Sequence, residues 1–371
     1  MPIAEIPRKP QLLYARARVT GNDQTIYLIK LFVAAALVAA GVLLTAQDGL
    51  LPSAAGVVLL AAVYTHMVEL QHQALHHTAF TSAKPHRIVG IPLGLPLLVS
   101  YTHYRVRHLQ HHKALGTPQD SEFFGFDTRA PLTWGMLARG AFDYSRLYVI
   151  GREIVRSWRG TWEYDAGDIS ERRRGEIMSE YRWMAVLPVA AVALALAGYG
   201  GPVLELWVLP LLVAAPMHFF LELPEHILCD TETTDVLRNT RSITGSWFST
   251  WYTNGNNLHV EHHAAMTVSI NRLRARHDEV TTLAKYVDRS YPAFFLSVAR
   301  EAARNARRSP EALAEQAEAA RAVRAAEQAG KARAVRTSPG APESVPAATP
   351  APAPVPVGAA GGSHRSREGS E

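Results

Sequence analysis

His108-Leu109-Gln110-His111-His112 is the stretch on which the interpretation of this chain depends. The same pattern recurs as His259-Val260-Glu261-His262-His263, and a shorter form occurs as His72-Gln73-Ala74-Leu75-His76. An α-helix turns by about 100° per residue, so side chains at positions i, i+3 and i+4 share one face. Each block can therefore direct two or three imidazoles towards one point.

The three blocks together hold eight of the sixteen histidines in the chain. An isolated histidine is more often a hydrogen-bonded core or surface residue, but three clusters at helical spacing favour metal ligands. Imidazole suits iron, zinc, copper and nickel. Eight imidazoles are too many for one ion, so the count predicts two metals. A zinc protease is disfavoured, because no HExxH motif occurs.

Composition narrows the class of protein further. Hydrophobic residues make up 48% of the chain, and they are concentrated in runs from which charged residues are excluded. The single cysteine, Cys229, excludes an internal disulfide and a cysteine-bound cluster within one chain. Any electrons that the site uses must therefore come from another protein. The net charge is +5, but no interleaved basic and aromatic motif indicates nucleic-acid binding.

The apolar runs predict an integral membrane protein with four spans. A helix needs about 20 apolar residues to cross a hydrocarbon core of about 30 Å. The first run is longer than the core of a secretory signal, so it is expected to be retained. A shorter run at 88–101 contains Gly and Pro and predicts a re-entrant or interfacial segment. The predicted spans are residues 25–46, 50–68, 183–200 and 203–221.

Charge placement predicts how these spans are oriented. The turns at 47–53 and 198–203 contain no Lys or Arg, whereas the arm at 1–24 and the segment 102–182 contain many. The positive-inside rule then places both termini and all three histidine blocks in the cytosol, with the cytoplasmic membrane as the expected location. Residues 139–160 mix arginines with aromatic and aliphatic residues, which suits an interfacial helix or a soluble amphipathic helix.

Three further residues lie in the last turn of the fourth predicted span or directly after it. His218, Glu222 and His226 are spaced i, i+4 and i+8, so a continuous helix would align them along one stripe. His226 is the candidate for a ninth imidazole ligand. Glu222 is expected either to bind metal or to hold a ligand or a metal-bound water in place, and His218 to hydrogen-bond within the bundle.

Polar residues near the blocks are candidates for orienting the imidazoles. Asn257 lies two residues before His259, and Asp120 could fold back towards the second block through a turn at 116–118. Glu69, three residues before His72, could accept an imidazole proton. Glu261 is expected to be solvated. The remaining histidines of the folded region are expected to be structural and not metal ligands: His66, His77, His86, His103 and His277.

The C-terminal end differs in composition from the predicted membrane domain at 25–300. Residues 301–336 are rich in Ala, Glu and Arg and predict a solvated helix. Residues 337–371 contain seven prolines and no Leu, Ile or aromatic residue. Such a segment cannot bury enough apolar surface to fold, so a disordered tail is predicted.

The motifs HQALH at 72–76, HLQHHKALGTPQD at 108–120, EH at 225–226 and NNLHVEHH at 256–263 resemble the membrane fatty acid desaturase/hydroxylase superfamily. The resemblance covers roughly residues 25–290. It implies a four-span helical bundle with a cytosolic helical cap, in which the eight block histidines and His226 hold two irons.

The resemblance also implies a reaction, in which O2 and external electrons attack an unactivated C–H bond of a lipid-like acyl chain. The electron donor would be a ferredoxin or a cytochrome b5-like protein with its reductase. Two features depart from members of the family. Glu222 stands where the acyl-CoA desaturases carry an amide, and His259 stands where the front-end desaturases carry Gln. No HPGG motif indicates a fused cytochrome b5 segment.

Three functions remain open from the sequence. The first is a diiron desaturase of an acyl chain, and the second is a diiron hydroxylase or ketolase of a hydrocarbon, carotenoid or amino-acid-derived chain. The third is a histidine-lined membrane metal transporter, which is disfavoured because a transporter should carry its ionisable residues in mid-span. Sequence leaves the substrate, its carrier and the reacting carbon open.

Overall fold

The computed structural model describes residues 18–117, 120, 130–231, 233–319 and 322, so most of the predicted N-terminal arm and all of the predicted tail lie outside it. The described chain is mostly helical. Its helices are α1 (Gly21–Thr45), α2 (Leu50–Leu75), α3 (Lys84–Gly94), α4 (Tyr101–Ala114), α5 (Trp134–Ala141), α6 (Ser145–Arg159), α7 (Glu171–Met184), α8 (Val186–Leu194), α9 (Gly200–Val203), α10 (Leu209–Glu222), α11 (Val236–Asn239), α12 (Trp247–Tyr252), α13 (His259–Ala264), α14 (His277–Leu283) and α15 (Tyr291–Asn305). Two short strands, β1 (Ser242–Ile243) and β2 (Val287–Asp288), pair in parallel.

Three helical stretches in the described chain are long and apolar enough to cross a membrane: α1, α2 and the run Glu171–Glu222. The third run contains both the third and the fourth predicted spans. Its 52 residues would extend about 78 Å as one straight helix, far more than a bilayer core requires. Its backbone leaves helical geometry at Gly198, where φ is +94°. This interruption lies at the start of the turn predicted between the third and fourth spans.

The first two spanning helices pack closely because glycines stand where they meet. A Cβ atom on Gly56 would lie 2.6 Å from Thr45 Cγ2, and one on Gly41 would lie 2.7 Å from Leu60 Cγ. Small residues let helix backbones approach in this way in membranes. Further along, the Tyr27 hydroxyl donates to the Leu70 carbonyl at 2.9 Å. These contacts fix α2, which also packs against α3, α4 and α10 and carries the first histidine block.

The short run at 88–101 does not cross the bundle. It forms α3 and a 3-10 turn at Leu95–Leu97, and α3 packs on α2, where Gln71 Nε2 donates to the Gly90 carbonyl at 2.9 Å.

The helix α6 exposes large apolar side chains and buries polar ones. Its Tyr148 and Trp158 side chains are exposed, while Glu153 and Ser157 are buried. An exposed apolar face of this kind suits contact with a membrane surface.

A buried carboxylate fixes the start of α4, which carries the second histidine block. Glu180 accepts from the Thr102 backbone N–H and from the Ser100 hydroxyl, both at 2.8 Å. Arg87 forms an ion pair with the same carboxylate at 3.0 Å. Because a buried charge is stable only when it is paired and hydrogen-bonded, these contacts position α4 firmly on α7.

The third block is held by the small sheet and by α14. Ser242 of β1 donates to Glu261, and its hydroxyl accepts from the Val260 backbone N–H at 3.0 Å. Glu261 Oε1 lies 2.5 Å from His277 Nδ1. The prediction that Glu261 is solvated is therefore wrong: its exposed fraction is 0%. It faces away from the imidazoles, as expected from a helix, but β1 and α14 cover that side.

Candidate metal centre

Nine histidines converge where α2, α4, α10 and α13 end or begin, and they separate into two groups. In each group one ligand atom from every histidine lies within 4.8 Å of the others. The groups are His72, His76, His108, His112 and His262 in one, and His111, His226, His259 and His263 in the other. These are the eight block histidines and His226. The third block thus contributes to both groups, and so does the second.

In the first group, His108 Nε2 lies 2.8 Å from His72 Nε2 and 3.0 Å from His112 Nε2. His112 Nε2 is also 3.0 Å from His262 Nε2. Two imidazoles bound at about 2.1 Å to one metal, at right angles, have nitrogens about 3 Å apart. The observed spacing therefore matches neighbouring ligands of a single ion.

In the second group, His226 Nε2 lies 3.2 Å from His111 Nε2 and 3.1 Å from His259 Nε2. His263 Nε2 is 3.0 Å from His259 Nε2. The two groups are adjacent, because the rings of His112 and His263 stack with centroids 4.1 Å apart. The arrangement suits two metal ions close to one another.

The protonation state of these residues also suits metal binding. Burial, followed by the charges of neighbouring histidines, holds the pKa of five of them well below its usual value of 6.5; they are His76, His112, His259, His262 and His263. Neutral imidazole is the form that binds metal. His76 Nε2 is in addition buried without a hydrogen-bond partner among the described residues. A metal ion would supply the missing partner.

Three imidazoles of the second group are oriented by hydrogen bonds at Nδ1. His111 Nδ1 donates to Asp120 Oδ1 at 2.7 Å, and His226 Nδ1 donates to the Asn239 carbonyl at 3.0 Å. His259 Nδ1 donates to Asn256 Oδ1 at 3.0 Å. A proton on Nδ1 leaves the Nε2 lone pair available to a metal, which is how outer partners fix metal-binding histidines.

Asp120 thus lies beside the second histidine block, where the sequence predicted it, and the conformation of Gly116 allows the chain to turn back towards that block. Gly116 has a φ of +76°, and a Cβ atom on it would lie 1.9 Å from the Thr233 carbonyl oxygen. Only glycine fits this combination of backbone conformation and close approach.

Asn257 does not touch the imidazoles. Its amide donates to the Ile243 carbonyl at 2.7 Å, and its Oδ1 accepts from the Thr253 hydroxyl at 3.1 Å. The preceding residue, Asn256, bonds His259 instead. Both asparagines precede α13, which begins at His259, so helical spacing does not distinguish them and the turn before the helix decides which amide reaches the imidazole.

The predicted stripe of His218, Glu222 and His226 does not form. The helix α10 ends at Glu222, because Pro224 follows and cannot continue the hydrogen-bonding pattern. His226 turns into the second histidine group, while His218 and Glu222 remain together, with Nε2 and Oε1 3.2 Å apart. They form a separate cluster with Glu69. Glu222 is therefore absent from both groups of histidines.

Glu225 is a site residue for which the sequence predicted a smaller role than for Glu222, because it faces away from the predicted stripe of His218, Glu222 and His226. Its Oε2 lies 3.3 Å from His259 Nε2, and its Oε1 accepts from Asn256 Nδ2 at 2.6 Å. A carboxylate here balances part of the charge of a cation in the second group. Its position directly before His226 gave no periodic signal, since the chain at this point is a turn.

The histidines expected to be structural have other partners. His66 Nδ1 lies 2.8 Å from the Tyr252 carbonyl, and His103 Nδ1 lies 2.6 Å from the Tyr181 hydroxyl. His77 has a φ of +59° and stacks on His86 with centroids 4.7 Å apart. The structure places none of these, nor His277, in the two groups.

A cavity of about 380 Å³ opens beside the first group. Its wall includes Tyr104, whose ring lies 5.5 Å from that of His108. Leu98 and Phe219 give it apolar surface, but Arg146 and Glu222 also line it. The wall of the cavity therefore combines apolar and charged side chains.

Three helical stretches that are long and apolar enough to span a membrane, together with nine converging histidines that could hold metal, indicate an integral membrane protein with a candidate metal centre. The family described as Fatty acid desaturase matches residues 48–295, more than half of the chain and all nine histidines. The chain therefore belongs to the membrane fatty acid desaturase/hydroxylase superfamily, whose members are oxidoreductases. No curated protein matches it.

Proposed function

We propose that this protein is a membrane-bound diiron oxidoreductase that introduces a double bond into an acyl chain, using O2 and externally supplied electrons. The observation that carries the proposal is the division of nine imidazoles into adjacent groups of five and four beside a cavity. The family match supports the same class of reaction.

Iron is the proposed metal for both groups. All nine ligands are imidazoles, which suit iron as well as zinc, so the choice of iron rests on the family. Two bound irons would supply the activation of O2 that is needed to remove hydrogen from an alkyl chain, which side chains alone cannot do.

The protein's own residues hold and orient this centre. Asp120, Asn239 and Asn256 keep three imidazoles in the tautomer that presents Nε2. Glu180 fixes α4 and, with it, the second block. The cavity wall at Tyr104 would hold the substrate next to the first group.

We further propose four membrane crossings, with the chain turning at Gly198, and with both termini and the histidine cap in the cytosol. The absence of Lys and Arg from 47–53 and 198–203 supports this orientation. The single cysteine, Cys229, cannot hold an iron–sulfur cluster, which supports an external electron donor, proposed to be a ferredoxin or a cytochrome b5-like protein.

A diiron hydroxylase acting on an amino-acid-derived chain is the second candidate. The observation that favours it is the presence of Arg146 and Glu222 in the cavity wall. Arg146 and Glu222 interact with one another, but both also face the cavity, where they suit a chain that carries polar groups better than a bare hydrocarbon.

Product analysis tests both candidates. The protein is expressed in a bacterial host, and lipids and polar metabolites are compared with those of a host that expresses the His262→Ala variant. A desaturase yields a product that lacks two hydrogens, and a hydroxylase yields one that gains an oxygen. Purified protein without two irons per chain after anaerobic iron loading, or identical product profiles in both hosts, would refute the diiron proposal.

A further inference from the structure

Glu69, His218 and Glu222 form a cluster of metal-binding side chains apart from the nine histidines. One ligand atom from each lies within 4.8 Å of the other two, and His218 Nε2 is 3.2 Å from Glu222 Oε1. The cluster joins α2 to α10, near the ends of two spanning helices. His218 and Glu222 also line the cavity described above.

Glu69 is the unusual member of this cluster. Its exposed fraction is 2%, and its Oε2 atom is buried without a hydrogen-bond partner among the residues that the structure describes. A buried carboxylate oxygen that lacks a partner costs free energy in proportion to its desolvation. In a membrane helix this cost is large, and ionisable residues there commonly have a functional partner.

The cluster brings two carboxylates close together. Two carboxylates, Glu69 and Glu222, lie within 4.8 Å of one another through one of their oxygens. Arg146 lies close enough to Glu222 to interact with it electrostatically, and its guanidinium also donates to the Leu97 carbonyl at 3.2 Å. A cation bound between the two carboxylates would be attracted by both and would also give the buried Glu69 Oε2 a partner.

We propose that Glu69, His218 and Glu222 bind a third metal ion, a divalent cation of the zinc type, at the wall of the cavity. Two carboxylates and one imidazole are a ligand set that zinc accepts, with a fourth position left for water or substrate. Two ligands bound to zinc at about 2.0–2.2 Å in a tetrahedral site stand about 3.3–3.6 Å apart. The 3.2 Å between His218 Nε2 and Glu222 Oε1 is close to this spacing, and the Glu69 oxygen, which lies within 4.8 Å of both, would move closer on binding. The cation would neutralise the carboxylates and offer a binding point for a polar group of the substrate.

This site is separate from the proposed diiron centre. None of its three residues belongs to either histidine group. Asn256 lies beside both Glu69 and His259, so the two sites are neighbours without sharing a ligand. Metal can therefore be lost from one site while it is retained at the other.

The test is elemental analysis of purified full-length protein in detergent, dialysed against excess zinc and then against metal-free buffer. We expect the wild-type protein to retain one zinc per chain more than the His218→Ala/Glu222→Gln double variant. Glu69→Gln should give the same loss, and the double variant covers the case in which the fully buried Glu69 position does not tolerate substitution. Glu205→Gln is the matched control, because that carboxylate accepts from Ser53 on another part of the bundle and lies outside the cluster.

Equal zinc content in the wild-type protein and the double variant would overturn the third site and would instead indicate a proton shared between the two carboxylates. Equal loss in Glu205→Gln would overturn it as well, since the change would then not be specific. The outcome is independent of the proposed function. If the diiron proposal fails, the wild-type protein will hold no iron, and the His262→Ala variant will have the same metal content as the wild type, whatever the cluster binds.

Discussion

Replacing Asp120 with Ala should weaken iron binding at the second histidine group while leaving the fold intact. The Asp120 carboxylate accepts from His111 Nδ1 at 2.7 Å, whereas the Nδ1 atoms of His226 and His259 donate to uncharged oxygens. A hydrogen bond to a charged group contributes about 1.5–3 kcal/mol, and about 1.4 kcal/mol corresponds to a factor of ten in affinity.

The geometry at Asp120 places the expected loss in the lower part of this range. Its side chain is 24% exposed, so solvent screens part of the charge. We therefore expect iron to bind roughly tenfold to thirtyfold more weakly in Asp120→Ala, consistent with losses of about 10–100-fold for partners of metal-binding histidines. Asp120→Asn keeps an acceptor for His111 Nδ1, so its affinity for iron should lie between those of Asp120→Ala and the wild type.

Anaerobic competition with an iron chelator, followed by elemental analysis, measures this change. Asp165→Ala is the control. The Asp165 carboxylate pairs at 3.2 Å with Arg107, which lies on α4 as His111 does, but the Asp165 side chain is 71% exposed and contacts no imidazole of the centre. An affinity in Asp120→Ala within twofold of that in Asp165→Ala would show that the hydrogen bond does not orient a metal ligand, and the reasoning would be wrong.

Four further outcomes are expected. His76→Ala should abolish turnover and lower metal content, whereas His77→Ala should leave both nearly unchanged, because His77 stacks on His86 outside the centre; equal damage in the two variants would contradict the ligand assignment. Glu261→Ala should lower the melting temperature, since it leaves the buried His277 and the third block without their partner, and an unchanged melting curve would contradict this. The metal-free protein should lose stability as pH falls through about 6.5, because burial lowers the pKa of histidines such as His262 and only the unfolded chain then takes up protons; a melting temperature independent of pH between 7 and 5 would count against it. Electron transfer from an acidic donor should slow as salt is raised, because residues 139–174 carry eight arginines and exposed charge pairs are screened beyond about 8–10 Å; a rate independent of salt would place the donor elsewhere.

The basic face proposed for this donor is smaller in the structure than in the sequence. Arg146 turns into the cavity wall, and Arg152, Arg172 and Arg173 pair with glutamates of their own segment. Arg139 and Arg159 remain exposed. Substitution of Arg139 and Arg159 therefore separates a docking role from a structural one better than a change at Arg146.

The sequence alone identified the histidines, because their spacing is a local property. The distances i, i+3 and i+4 place imidazoles on one helix face whatever the rest of the chain does, and α4 and α13 carry two of these blocks on short helices. The apolar runs likewise predicted where the spanning helices lie, since length and hydropathy are also local. The end of the third span and the start of the fourth were predicted at a turn that contains Gly198.

Tertiary structure decided what those residues do together. His111 and His112 are adjacent in sequence but enter different groups, because adjacent side chains on a helix point about 100° apart and the other blocks approach from two sides. The partners of the imidazoles come from distant segments, such as the Asn239 carbonyl beneath His226. Glu261 is buried only because β1 and α14 cover it. Glu222 lies outside both histidine groups only because α10 ends before Pro224. The spacing of residues along the chain determines which face of one helix they share, whereas the packing of several helices determines which of those faces come together.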